Sequence, residues 1–149
     1  MPDGRPEVIL SVDFGLKRIG IASGDTLTRT AHPRTTISNG HHGPDWPALD
    51  RILVDTRPAR IAVGEPYNAD GSESPLTGAA RRFATELARR SGLPVDMVDE
   101  RWSSQDAEER LRAARASGLK KRRVTAEDVD AAAAAVILER WFEQQTTSS

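Results

Sequence analysis

Apolar residues fall into two rhythms along this chain, and the change of rhythm separates strands from helices. Val8 to Phe14 is a short run rich in β-branched residues, halted by Gly15, and reads as a buried strand. A second run, Arg18 to Ser23, begins only a few residues later. So short a link cannot cross a sheet, so the two strands pair antiparallel. A third extended stretch, about Thr30 to Ile37, continues the meander, and Pro33 within it marks an edge or a bulge. The segment SNGHHGPDWP that follows reads as a loop.

The spacing then turns helical. Trp46, Leu49, Ile52 and Leu53 share one side of a helix from Trp46 to Thr56, with Asp45 as cap and Pro47 in the first turn. Pro58 marks its end. Arg60 to Gly64 is a short buried strand, and the loop after it holds the turn Asn68-Ala-Asp-Gly71. Ser74-Pro75 opens a second helix, on which Leu76, Ala80, Phe83 and Leu87 build an apolar stripe until Gly92 and Pro94 close it. Val95 to Val98 is another strand. A further helix starts at Ser103, turns Ala107, Leu111 and Ala114 inward, and stops at Ser117-Gly118. The last helix opens at Thr125 on a capping-box pattern, Thr125-Ala-Glu-Asp128, and carries Val129, Ala133, Val136, Ile137 and Trp141. The order β-β-β-α-β-α-β-α-α predicts an α/β fold: a mixed sheet with helices on both faces.

Length and composition narrow the class. With 149 residues the chain fits one domain, with a core from about residue 8 to 142 and short flexible tails. No apolar run approaches membrane-spanning length, and MPDGRPE lacks the features of a secretion signal. The absence of cysteine excludes disulfides and thiolate metal sites and fits a cytoplasmic protein. His32, His41 and His42 lie in one Pro/Gly-rich stretch without zinc-site spacing and read as a solvated loop.

Charge changes the picture more. Arg110, Arg112, Arg115, Lys120, Lys121, Arg122 and Arg123 form a basic segment with no acid among them. Without those seven positive charges the remainder carries −8, against a total of −1. A concentrated basic surface on an acidic body suits a protein that grips phosphates on one side and holds cations on another. The plainer reading is a solvated helix end and loop.

Three acids sit at the edges of buried elements. Asp13 ends the first strand, Glu100 (with Asp99 beside it) follows Val95 to Val98, and Asp130 lies in the first turns of the alanine-rich last helix. Burying a carboxylate is costly unless something compensates it, and a divalent cation is one compensator. Magnesium takes oxygen ligands and keeps several waters, so two to four carboxylates suffice. Each acid also has a plainer role: Asp13 in a turn, Asp99 or Glu100 paired with Arg101, and Asp130 favoured by the helix dipole. Spacing alone does not bring the three together.

Four runs do more. VDFGLKRIGIA (Val12 to Ala22), VGEPYNADG (Val63 to Gly71), DERWSS (Asp99 to Ser104) and DVDAAAAAVILE (Asp128 to Glu139) occur in this order. Together they resemble the YqgF family, also called RuvX, of RNase H-like proteins, over about Val8 to Phe142. The resemblance implies an RNase H-like fold with a five-stranded mixed sheet whose first three strands are antiparallel. It implies a nuclease, either a Holliday junction resolvase or an enzyme that processes the 5′ end of pre-16S rRNA. It assigns Asp13, Glu100 and Asp130 as the catalytic acids that hold one or two Mg2+ or Mn2+ ions, with Asp99 in reserve for Glu100.

Other positions take roles around that centre. Lys17, Arg18 and Arg101 are candidates for phosphate contact, with the basic segment from Arg110 to Arg123 holding the backbone without reading sequence. Gly15 and Gly20 read as hairpin-turn residues, and Asn68 and Gly71 as a turn beside the substrate groove. Glu65 departs from the family pattern, where an apolar or small residue is more usual. It would assist a metal or face water.

The expected partners are structured RNA, pre-16S rRNA above all, or branched DNA, with ribosomal precursor particles and no membrane. A monomer or a homodimer is compatible; paired cuts in a junction require the two-fold dimer. Two rival readings stand beside the nuclease. An ATPase or kinase of the actin-like superfamily shares Asp-x-Gly in a β-hairpin but needs two such domains, which this length does not hold. A nucleic-acid-binding, ribosome-associated factor with a vestigial site would keep the fold without the reaction.

Overall fold

The computed structural model describes residues 6–68, 70–99 and 125–147. The strands are β1 (Val8–Phe14), β2 (Arg18–Asp25), β3 (Ala31–Gly40), β4 (Gly43–Pro44), β5 (Arg60–Glu65) and β6 (Val95–Asp99). The helices are α1 (Trp46–Thr56), α2 (Pro75–Ser91) and α3 (Ala126–Thr147). The strands form one sheet in the order β4-β3-β2-β1-β5-β6. β1, β2 and β3 pair antiparallel, whereas β1 with β5 and β5 with β6 pair parallel. The C-terminal ends of β1, β5 and β6 therefore meet at one edge of the sheet. The helix expected from Ser103 and the basic loop after it lie outside the described residues.

Six strands replace the expected five. The added one, β4, is two residues long and pairs with Asn39 and Gly40. It arises because β3 runs on through Ser38, Asn39 and Gly40, which the sequence suggests are loop. Asn39 explains the extension. Its backbone N–H donates to Lys17 O at 2.9 Å and its side-chain amide donates to Gly15 O at 2.6 Å. The β1–β2 link thus recruits this end of β3. The histidines do not share one loop: His32 is an exposed residue of β3, while His41 and His42 belong to the turn after it. A register shift beside Ala22 and Pro33 supplies the bulge that Pro33 foretells.

Helix ends follow their local chemistry. Asp45 accepts from Ala48 N–H and Pro47 occupies the first turn of α1. Ser74 and Thr77 form a capping box at the start of α2, and Gly92 ends it in the left-handed conformation. At α3, Thr125 N–H donates to Asp128 Oδ2 and Asp128 N–H donates to Thr125 Oγ1, at 2.9 and 3.2 Å.

The two faces of the sheet are built from different side chains. Leu10, Val12, Phe14, Ile19, Ile21, Ile37, Ile61 and Val63 pack with Leu49 of α1 and Ala80, Phe83 and Leu87 of α2. Those are large, branched groups that fill a deep interface. The other face presents Ser11, Ala22, Ala31 and Ala62 towards α3, whose residues Ala131 to Leu138 are all buried. Small groups on both partners let the helix lie close.

The closest approach is at Gly20. A Cβ built there would fall 2.0 Å from the carbonyl oxygen of Asp130 and 2.9 Å from the nitrogen of Ala131. Gly20 is thus a contact glycine between β2 and α3, not the turn residue its position suggests. Ser11 adds a polar tie: its buried hydroxyl donates to Ala134 O at 2.6 Å.

Gly20→Ala is expected to destabilise the protein by about 1–3 kcal/mol or more, because the obstacle is backbone and α3 must lift to admit a methyl group. Urea unfolding of the two proteins measures this. A change under about 0.5 kcal/mol would place Gly20 outside any tight contact.

Candidate active site

Strand alternation decides which acids share a side. On β1, Ile9 and Ser11 face α3, and the period of two puts Asp13 on that face too. Asp13 is the register partner of Gly20. Gly20 in turn touches the backbone of Asp130. One glycine therefore separates the strand that carries Asp13 from the helix that carries Asp130. Cross-strand spacing and peptide dimensions then hold their Cα atoms within about 11 Å. Two aspartate side chains can close around one ion over such a span, given magnesium–oxygen bonds of about 2.1 Å.

Asp130 has a second neighbour. Arg18 lies two residues before Gly20 on β2 and so on the same face of the sheet. Its Nε donates to Asp130 Oδ2 at 2.6 Å. This bond raises the guanidinium pKa further. Arg18, a candidate for phosphate contact, is paired in the structure with a candidate metal ligand. Lys17 is exposed in the link between β1 and β2, whose carbonyls Asn39 holds from β3.

The acids near the end of β6 separate by parity. Val95 and Met97 pack on the α1/α2 side, whereas Val98 joins the α3 cluster. Asp96 agrees with Val98, since it accepts from the indole N–H of Trp141 on α3 at 2.8 Å. Asp99 has the parity of Val95 and Met97, opposite to Asp13. Its backbone carbonyl accepts from Arg140 at 3.0 Å. Glu100, Arg101, Arg110, Arg112, Arg115, Lys120, Lys121, Arg122 and Arg123 lie outside the described residues. Among the described residues no three acids or histidines form a metal-holding group.

Glu65 is paired with an arginine rather than solvated. It ends β5 with the parity of Ile61 and Val63, on the α2 side, and its carboxylate accepts from Arg81 Nε. Arg81 also donates to the Tyr67 hydroxyl at 3.1 Å and pairs with Glu73 at 3.2 Å. The bond from Glu65 holds the Arg81 guanidinium well above its ordinary range and pushes the Tyr67 phenol up. The Thr77 hydroxyl donates to Pro66 O and ties this loop to α2. Asn68 and Ser72 close the following turn with a backbone bond of 2.9 Å and a side-chain bond of 3.0 Å.

Two polar residues that hold the site were not singled out by sequence reasoning, Ser11 and Asn39. Ser11 left a signal, since it interrupts an otherwise apolar run; Asn39, buried in what the sequence suggests is loop, left none.

Solved structures share this fold. T. thermophilus RuvC in complex with a Holliday junction substrate matches with a TM-score of 0.58 and 21% identity, over 96% of this chain and 98% of that one. Fowlpox virus resolvase in complex with substrate Holliday junction DNA matches with a TM-score of 0.57 and 16% identity, over 93% and 98%. At such identities the likeness is one of fold, which is that of the RNase H-like resolvases. Sequence relatives are nearer. A protein of Xanthomonas campestris pv. campestris (strain 8004) named "Putative pre-16S rRNA nuclease" is 45% identical over 139 residues, 93% of this chain and 89% of that protein. One of the same name from Xanthomonas oryzae pv. oryzae (strain PXO99A) is 44% identical over 142 residues, 95% and 89%. The family model described as "RuvX: Holliday junction resolvase" matches residues 7–144, so this chain belongs to the RuvX family.

Proposed function

We propose that this chain is a metal-dependent nuclease that processes the 5′ end of pre-16S rRNA in the cytoplasm. The observation that supports the nuclease reading is that Asp13 is the register partner of Gly20, which packs against the backbone of Asp130, at the edge where the parallel strands end; the rRNA substrate rests on the name of the 45% identical relative. Oxygen-only donors of that kind suit Mg2+ or Mn2+. Glu100 is the third acid we assign. It follows Asp99, and a strand that kept its alternation would give position 100 the parity of Asp96 and Val98. Bound there, the metal would supply an activated water and offset charge on the leaving 3′ oxygen.

The chain's own residues do the rest. Asp13 on β1 and Asp130 on α3 would hold the cation together with Glu100 and set the line of attack. Lys17, Arg101 and the basic segment from Arg110 to Arg123 bind backbone phosphates without reading bases. Glu65 stays out of the reaction, engaged with Arg81 on the opposite face. The presence of all three acids in the sequence argues against a vestigial site.

A second reading is resolution of Holliday junctions. The description of the matching family model favours it, and so does the fold, shared with two proteins bound to junction DNA. It requires two copies of the chain with paired sites.

Purified protein with Mg2+ should cleave a pre-16S fragment faster than a four-way DNA junction, and Asp13→Asn should abolish cleavage while binding persists. Full activity of Asp13→Asn would refute the assignment, and preferential junction cutting by a dimer would favour the second reading. Glu100→Gln should lose about 100-fold or more in rate. Asp99→Asn and Glu65→Gln should stay within about threefold, because their carboxylates sit on the other face. The reverse ranking of Asp99 and Glu100 would show that β6 changes register at its end.

A further inference from the structure

Arg18 is the charged group that the reaction described above does not use, and it touches the proposed centre directly. It reaches from β2 to an acid 112 positions away on α3 and donates to Asp130 Oδ2 at 2.6 Å. The pair is open to solvent: the two side chains are 39% and 24% exposed. A cation from solution therefore has access to the same carboxylate. An oxygen that accepts from a guanidinium is one that a metal must share or take over. Arginine cannot leave by losing its proton, because it stays charged at any physiological pH. It can leave only by moving its side chain, and among the described residues its guanidinium bonds to Asp130 alone.

We propose that Arg18 is the resident counter-ion of Asp130, which occupies Oδ2 before metal binds and yields it to the incoming cation. This rests on the reading of Asp130 as a metal ligand. Two features of the chain support it. Gly20 pins the backbone of Asp130, so only the carboxylate and the guanidinium need to rearrange. Glu127, one turn earlier on α3, adds a second negative charge near Arg18, so the guanidinium remains in an acidic neighbourhood once displaced. Arg18 then sets the metal concentration at which the site fills. Its removal should improve metal binding while it loosens the metal-free protein.

Isothermal titration of Mn2+ into the full chain, without nucleic acid, tests this. Arg18→Gln should bind Mn2+ about three- to fivefold more tightly than the unaltered chain, as expected when a half-exposed ion pair no longer competes. Its melting temperature should be lower without metal and should rise more on Mn2+ saturation. In an Asp130→Asn background the same substitution should leave Mn2+ affinity unchanged. Arg18→Met keeps the apolar stem and gives the same readout should Arg18→Gln fail to fold. Equal or weaker Mn2+ binding by both Arg18 variants would overturn the inference and leave the metal site standing. No Mn2+ binding by any form would remove the metal site, and the inference with it.

Discussion

The backbone of α3 rests on the sheet at Gly20, and the geometry of the proposed site depends on that contact. A side chain at this position would meet the Asp130 carbonyl at 2.0 Å, well inside contact distance. Because the obstacle is backbone, no rotamer change relieves it. Around this point the sheet offers Ser11, Ala22 and Ala62, and the helix offers a run of alanines. Their small volumes bring Asp130 near Asp13 without a long loop to position it. Rigid elements hold acids more closely than loops do, which is what a metal centre requires.

The rest of the molecule keeps this face separate from the other. Large aliphatic and aromatic groups bind α1 and α2 to the opposite side, with Phe14, Phe83 and Trp46 in ring contact. There the Glu65, Arg81, Tyr67 and Glu73 group satisfies itself. The sheet thus divides the acids near its active edge into two populations by parity alone. One, with Asp13, faces α3 beside the Arg18–Asp130 pair. The other, with Glu65, is occupied by an arginine from α2.

Much of this was legible in the residues. The two periods separated strands from helices, the short β1–β2 link forced antiparallel pairing, and caps at Asp45, Ser74 and Thr125 marked helix starts. Asp13 and Asp130 stood out as acids beside apolar runs. What escaped was long-range. Gly20 read as a turn because a local pattern cannot reveal that a helix 110 residues later touches it. Asn39 read as loop because its role is to bond Gly15 and Lys17 across the meander. The partner of Arg18 and the side taken by Glu65 needed the register of the sheet and the seating of the helices, which no single segment encodes.

The central claim is that a divalent cation binds where β1 and α3 meet at Gly20. Anomalous diffraction from crystals soaked in Mn2+ tests it most directly. The account predicts a peak coordinated by the carboxylates of Asp13 and Asp130. Saturating Mn2+ that leaves this position without a peak, with both aspartates still engaged to protein groups, would contradict it.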